Sequence, residues 1–553
     1  MSKVILAEYL FTRLKQCGLK FMFGVPGDYN LQLLDHVEPQ GLKWVGNCNE
    51  LNSGYAADGY ARVAGIGSLI TTFGVGELSA INAIAGAYAE KVCVVHIVGT
   101  PPRKTRTDKL FVHHTLGDGD YFHFAKMYEH ITVAQAGLWD NETAPEMIDA
   151  ALQKCLEQHR PVYISVPDDM VNDLVASERL STPIKLETVT GQVPQLLSEK
   201  VYNSQRPVIL VDGECFGVEK DVNKLAKITG WPTFVSAFGK GLVDESLPNF
   251  LGVWGPETER YWKDCDLILC FGPHWSGTNT HMFTTIPDQN ITICLTSTGV
   301  RFKDQNWTCS FTSVLKTLLG LDIEKLAKPT QISRTLQKPQ PQGKLITQAD
   351  FYRFLSCSGL FKPNDIIMAE TGTAGIGARE FTLPENVLLF GPVTWLSIGY
   401  MLPAALGTSL ARSTRTILLI GDGSFQMTAQ ELSTIIKQKL NFLLILVNND
   451  GYTIERCIHG KDQSYNDVAR WNYLQAPDFF GGGSDDYRIR TASARTWKEL
   501  EDVLEREKAS EAPCLSMIEV FTTKEDAPRF LLGLLEKQYP DGLPSGFPHM
   551  EAA

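Results

Sequence analysis

The stretch Thr416–Glu455, TILLIGDGSFQMTAQELSTIIKQKLNFLLILVNNDGYTIE, narrows what this chain can fold into more than any other. Ile417 to Ile420 is an unbroken apolar run, which reads as a parallel strand buried on both faces. It ends in Gly421-Asp422-Gly423-Ser424, and a helical pattern follows with Leu432, Ile435 and Ile436 on one face. A second apolar run, Phe442 to Val447, ends in Asn448-Asn449-Asp450-Gly451. These features predict a βαβ unit with polar groups at the carboxyl ends of neighbouring strands, where open parallel sheets hold ligands. Gly421 and Gly423 let a ligand come close to the backbone. Asp422, the Asn449 amide and the Gly451 carbonyl offer hard oxygen ligands, and two diphosphate oxygens and a water would complete the octahedron that Mg²⁺ prefers. Taken singly, each is an ordinary turn former. One helix apart, at matching strand ends, they point to a metal-diphosphate site.

At 553 residues the chain exceeds one core and predicts about three domains. The boundaries expected are 1–175, 195–325 and 347–553, with polar linkers at about 172–195 and 325–346. A net charge of −12 argues against a nucleic-acid or anionic-membrane partner. No apolar run approaches the roughly 20 residues of a membrane span. The 12 cysteines form no CxxC pair, which suggests free thiols in a reducing compartment. The N-terminus reads as an amphipathic helix, not a signal peptide, so a cytoplasmic location is expected.

Apolar runs at Lys20–Phe23, Ser68–Phe73, Val92–Val98 and Pro161–Pro167 alternate with helical patterns, giving an α/β class with parallel strands. Similar runs near 208–211, 233–236, 267–271 and 291–295 predict a smaller central α/β domain. The first strand runs into the turn Gly24-Val25-Pro26-Gly27-Asp28. Two features of the first segment carry chemical potential. Glu50 sits where a strand gives way to a helix of small residues, a costly place for a carboxylate without a partner. His113 and His114 are adjacent, and neutral imidazoles relay protons near pH 7. Gly74-Val75-Gly76 is an incomplete dinucleotide fingerprint and reads as close strand-helix packing.

FGVPGDYN, the Asn49-Glu50 turn, YAADGYAR, TTFGVGELSA, HHTLGDGD, ETGT, SIGY, GDGS and NNDGYTIE occur in one order from about Glu8 to Glu536. That series resembles the thiamine-diphosphate-dependent 2-oxo acid decarboxylases, which act on pyruvate, indolepyruvate, phenylpyruvate or branched-chain acids. The resemblance implies three α/β domains, each with a mainly parallel sheet flanked by helices; the first binds the cofactor's pyrimidine and the third its diphosphate. It also implies thiamine diphosphate and Mg²⁺ as cofactors, held between the first domain of one subunit and the third of another. A homo-oligomer follows, at least a dimer and commonly a dimer of dimers.

Carried over by position, Glu50 would bond the aminopyrimidine, and Asp28, His113, His114 and Glu455 would surround the reacting substrate. Ile398 would wedge the cofactor into its bent shape, with the Leu396 and Ser397 backbone on the pyrimidine. Thr373 and Ser424 would touch the diphosphate beside Gly421, Gly423, Tyr452, Thr453 and Ile454, with Asp422, Asn449 and Gly451 on the metal. Gly375, Ile376 and Ile458 are placed in the substrate pocket. Two departures stand out. Pyruvate-specialised relatives usually carry a bulky aromatic after the ETGT turn, where this chain has Ala374-Gly375-Ile376; and Leu396 replaces the usual glycine before Ser-Ile. The expectation is non-oxidative decarboxylation to an aldehyde and CO₂, leaning to aromatic or branched-chain acids, with pyruvate as the alternative. A carboligase, or a catalytically silent relative, is the competing class.

Overall fold

The computed structural model describes residues 2–538 except 188, 216, 329–338, 461, 484–485 and 510–513, with side chains to 533 in the last helix. The expected linker at 325–346 therefore lies partly outside the described residues.

The first sheet has six parallel strands, in spatial order Lys43–Gly46, Phe21–Gly24, Gly67–Thr72, Val94–Thr100, Val162–Pro167 and Gln135–Gly137. A second six-stranded parallel sheet contains, in order, Leu388–Phe390, Ile366–Ala369, Thr416–Gly421, Phe442–Asn448, Cys514–Phe521 and Arg488–Ala494. Counted along the chain, both sheets have the strand order 2-1-3-4-6-5. No sequence repeat signals this likeness. Both sheets are covered on two faces, which is why their central strands read as solid apolar runs.

Between them lies a seven-stranded sheet that is parallel through Thr292–Thr296. It then turns antiparallel in the hairpin Gly299–Phe302 and Gln305–Thr308. This hairpin escapes the apolar pattern because its outer strand, Gln-Asn-Trp-Thr, is largely exposed. The expected polar linker at 172–195 also differs in part: Leu174–Ala176 pairs antiparallel with Lys3–Ile5 at the start of the chain.

One hydrophobic core runs through the first and third sheets. Its seam is the helix Glu50–Ala64 against the helix Met401–Ala411. The approach is very close. A methyl group at Gly59 would lie 2.1 Å from the Ala404 carbonyl oxygen, and one at Gly407 would lie 2.0 Å from that of Ala56. The small residues of both helices are thus required by backbone-to-backbone contact. Among the described residues, no helix is long and apolar enough to cross a membrane, and all 12 cysteines are free.

Candidate active site

The strand ends of the third sheet open on a cavity of about 370 Å³. Its wall comes from the loops after Ile366–Ala369, Thr416–Gly421 and Phe442–Asn448, on both sides of the point where the strand order reverses. Thr373, Ile398, Gly421, Asp422, Gly423, Ser424, Asn449, Gly451, Tyr452, Thr453, Ile454 and Glu455 all line it. Thr371, Gly372 and Met427, which the sequence reading did not single out, line it as well. Gly423 is glycine for a local reason: a side chain there would strike the Tyr452 ring at 2.5 Å.

Asp422 is 1% exposed at the strand end, its carboxylate accepting from Gly423 N at 2.8 Å and Gly451 N at 3.0 Å. Burial pushes it up to about 6, although both backbone groups favour the anion. No side-chain cation pairs with it among the described residues. The inward atom of the Asn449 amide lies 2.7 Å from the Gly451 carbonyl oxygen and 3.2 Å from Asp422 Oδ1. If that atom is nitrogen it donates to both, while the outward oxygen accepts from the Thr453 hydroxyl at 2.9 Å. If it is oxygen, three acceptors converge, an arrangement that a cation between them would relieve. With the amide oxygen inward, this buried group of acceptors fits a small hard cation such as Mg²⁺.

Glu370, fully buried at the end of its strand, braces the cavity from behind. It accepts from Thr371 N at 2.8 Å and Met401 N at 2.9 Å, and burial pushes it up to about 8. The following turn needs Gly372, whose φ is 115°. Gly375 lies outside the cavity wall. Its N–H donates to the Glu370 carbonyl at 2.8 Å, and a Cβ would press on that oxygen at 2.9 Å. Ile376 packs with Ile454, Cys457, Leu531 and Leu532, and Ile458 is half exposed. Neither lines the cavity. The small residues after the ETGT turn therefore answer to backbone packing, which removes the physical basis for a widened pocket.

Leu396 and Ser397 do not line the cavity either. They face a narrow cleft with Tyr55, Asp58 and Tyr400. The Ser397 and Tyr55 hydroxyls are 2.7 Å apart, and Asn82 reaches both. Leu396 adopts φ 55°, the left-handed region that its usual glycine would occupy without strain. Glu90, another residue sequence reasoning passed over, accepts from the N–H groups of Val393, Thr394 and Trp395 at 3.1, 2.7 and 2.9 Å.

The first sheet gathers a second group. Asp28 and His113 are hydrogen-bonded through Oδ2 and Nε2. His113 stacks on Tyr29 at 4.9 Å, and His114 meets His113 edge-on at 4.6 Å. The ligand atoms of Asp28, His113 and His114 all lie within 4.8 Å of one another. His114 holds φ 64°, and its carbonyl oxygen would be 2.1 Å from a Cβ on Gly74, so that glycine seats the histidine loop. Glu50 begins the helix Glu50–Ala64, behind an Asn49 cap that accepts from Asn52 N at 2.8 Å. A Cβ on Gly76 would sit 3.1 Å from Glu50 Oε1, so this glycine admits the carboxylate. Neither Glu50 nor the Asp28–His113–His114 group lines the 370 Å³ cavity of the same chain.

Comparison with known proteins matches all three segments. The N-terminal thiamine pyrophosphate binding domain of thiamine pyrophosphate enzymes matches 5–123, their central domain 195–306 and their C-terminal thiamine pyrophosphate binding domain 370–519. A pyruvate decarboxylase of Aspergillus parasiticus is 49% identical, with 96% of this chain and 97% of that one covered. The chain belongs to the thiamine-diphosphate-dependent 2-oxo acid decarboxylase family. A pyruvate decarboxylase of Aspergillus fumigatus is 42% identical over 96% of each chain. Pyruvate decarboxylase isozyme 1 of Saccharomyces cerevisiae is 37% identical over 96% of this chain and 98% of its own. Thiamine diphosphate is therefore this decarboxylase's cofactor and Mg²⁺ the accompanying metal. The expected lean to aromatic or branched-chain acids finds no support among these relatives, and pyruvate, the alternative, fits them better.

Proposed function

We propose that this decarboxylase converts pyruvate to acetaldehyde and CO₂, working as at least a homodimer. The observation that carries the substrate is the relatives' shared name across 96% of the chain. The placement of Gly375 against the Glu370 carbonyl adds to it, since the one sequence argument for a larger substrate then lapses. Asp422, Asn449 and the Gly451 carbonyl would hold Mg²⁺, with Thr373 and Ser424 on the diphosphate and Ile398 against the cofactor's rings. When bound, thiamine diphosphate supplies a nucleophilic carbon and an electron sink for the departing CO₂.

The protein's part is proton handling. Glu50, at the first position of its helix, would meet the cofactor's pyrimidine. Asp28 and His113 are in direct hydrogen-bond contact, so a proton taken up by one can be passed to the other. His114 packs edge-on against His113 beside that pair. Glu455 approaches the substrate from the opposite wall, on the cavity of the third sheet. Because the first-sheet acids and histidines do not line that cavity within one chain, a second copy supplying them is the simplest way to complete the site.

The test is aldehyde formation from pyruvate, phenylpyruvate and 2-oxoisovalerate, with and without cofactor and Mg²⁺. The expected result is the highest kcat/KM for pyruvate and no turnover without cofactor. A roughly tenfold preference for either larger acid, worth about 1.4 kcal/mol, would overturn the substrate assignment. Glu50→Gln should lose most turnover with an unchanged circular dichroism spectrum; full activity would remove Glu50 from the proton path.

A further inference from the structure

A second pocket opens at the carboxyl end of the first sheet, away from the residues assigned above. It has a volume of about 170 Å³, room for roughly six water-sized groups. Arg106, Thr100, Phe73, Phe122 and Trp139 are among its walls. The Arg106 guanidinium lies 3.6 Å from the centre of the Trp139 ring and 4.2 Å from that of Phe122. Two aromatic rings therefore hold it at the wall of the pocket. Gly137 makes this possible, since a Cβ there would meet Trp139 Nε1 at 2.4 Å.

Gln135, Tyr121 and Tyr163 in this pocket already donate to Ala125, Leu110 and Glu77, but two of its polar groups are unanswered. Arg106 Nη1 is shut off from solvent and makes no hydrogen bond, and Thr100, 4% exposed, leaves its hydroxyl without a partner. Burial lowers Arg106 from its ordinary value, and no carboxylate opposes that effect. Arg106 is only half-buried as a residue, but Nη1 faces inward without an acceptor, and a buried donor left without an acceptor is costly. The two rings keep it in.

We infer that this pocket binds a small organic carboxylate, its planar anion on the Arg106 guanidinium and the Thr100 hydroxyl and its apolar end against Phe73 and Trp139. The planar fork of arginine matches a carboxylate in two-point contact, and the ring-lined remainder suits a short hydrocarbon better than a second charge. The pocket sits between the helices Arg103–Thr107 and His123–Tyr128, which bracket the loop bearing His113 and His114. It is nevertheless separate from that group, since Asp28, His113 and His114 are absent from its walls.

The test is equilibrium dialysis of the holoenzyme with labelled butyrate, beside Arg106→Leu, Arg106→Lys and, for folding, sedimentation and circular dichroism. Wild type should bind one equivalent per chain more than Arg106→Leu, or bind that equivalent roughly tenfold or more tightly, with Arg106→Lys between them. Butyramide and inorganic phosphate should fail to displace it. Equal binding by wild type and Arg106→Leu overturns the proposal. So does displacement by butyramide, which would show an apolar site alone, or by phosphate, which would show a general anion site. If wild type binds nothing while Arg106→Leu loses its oligomeric state, the guanidinium is answered by a second copy of the chain and the proposal fails.

Discussion

Leu396 is a residue whose backbone and side chain disagree. Its φ of 55° belongs to the region where a Cβ costs about 1–2 kcal/mol, and it lies beside Ser397 and Ile398 in the segment between the two cofactor-binding sheets. Leu396→Gly and Leu396→Ala delete nearly the same side chain, but only glycine relieves the strain. Leu396→Gly should therefore be the more stable variant by about 1 kcal/mol in urea unfolding; equal stability would show that the turn is not strained. Asp422 carries the sharper prediction. Asp422→Asn removes the only carboxylate from the oxygen group at the two strand ends, so the Mg²⁺ concentration needed for half-activity should rise about 100-fold or more. At this scale the sequence was most legible where chemistry and turn geometry coincide, as at Gly421 to Ser424. It was least legible where a small residue serves packing. Nothing in the letters distinguishes a glycine that widens a pocket from one that admits a carbonyl, and Gly375 is the second kind.

The element that joins the halves of the molecule is the helix pair Glu50–Ala64 and Met401–Ala411. With backbone atoms this close, Gly407→Ala cannot be absorbed by turning a side chain, because the obstacle is the Ala56 carbonyl. It should cost roughly 1–3 kcal/mol in thermal or urea unfolding. Gly65→Ala, at the open end of the first helix with nothing near its missing Cβ, should cost only what its left-handed φ of 89° imposes. Strands were readable wherever they are covered on both faces, because a run such as Ile417 to Ile420 leaves no polar alternative. The hairpin at 299–308 and the edge strand Leu174–Ala176 were not. Their pairing is antiparallel and half exposed, so it is decided by neighbours distant in sequence.

Across the whole molecule, buried acids give a stability profile tilted toward mild acid. Burial pushes Glu77 up to about 7, Glu370 to about 8, Glu380 to about 7 and Asp526 to about 7. Between the ordinary carboxylate values near 4 and about 8, these four acids bind more protons in the folded chain than in the unfolded one, so their contribution to stability falls as pH rises through that window. The urea midpoint should drop between pH 5 and pH 8, and Glu370→Gln should flatten part of that slope; an unchanged slope would show that Glu370 contributes nothing to it. The overall α/β plan was legible in the alternation of apolar runs and glycine turns. The shared strand order of the first and third sheets was not, because topology survives where residue identity does not. Their division of labour has a genetic consequence. If each reaction centre combines the first sheet of one chain with the third of another, damage at Glu50 and damage at Asp422 can be separated onto different alleles. Co-expressing Glu50→Gln and Asp422→Asn chains, assayed at a Mg²⁺ concentration too low for the Asp422→Asn chain alone, should restore activity in about a quarter of the centres, since half of randomly paired dimers are mixed and each of those has one intact centre. Two null alleles would then complement each other, and a cell carrying both would score as wild type.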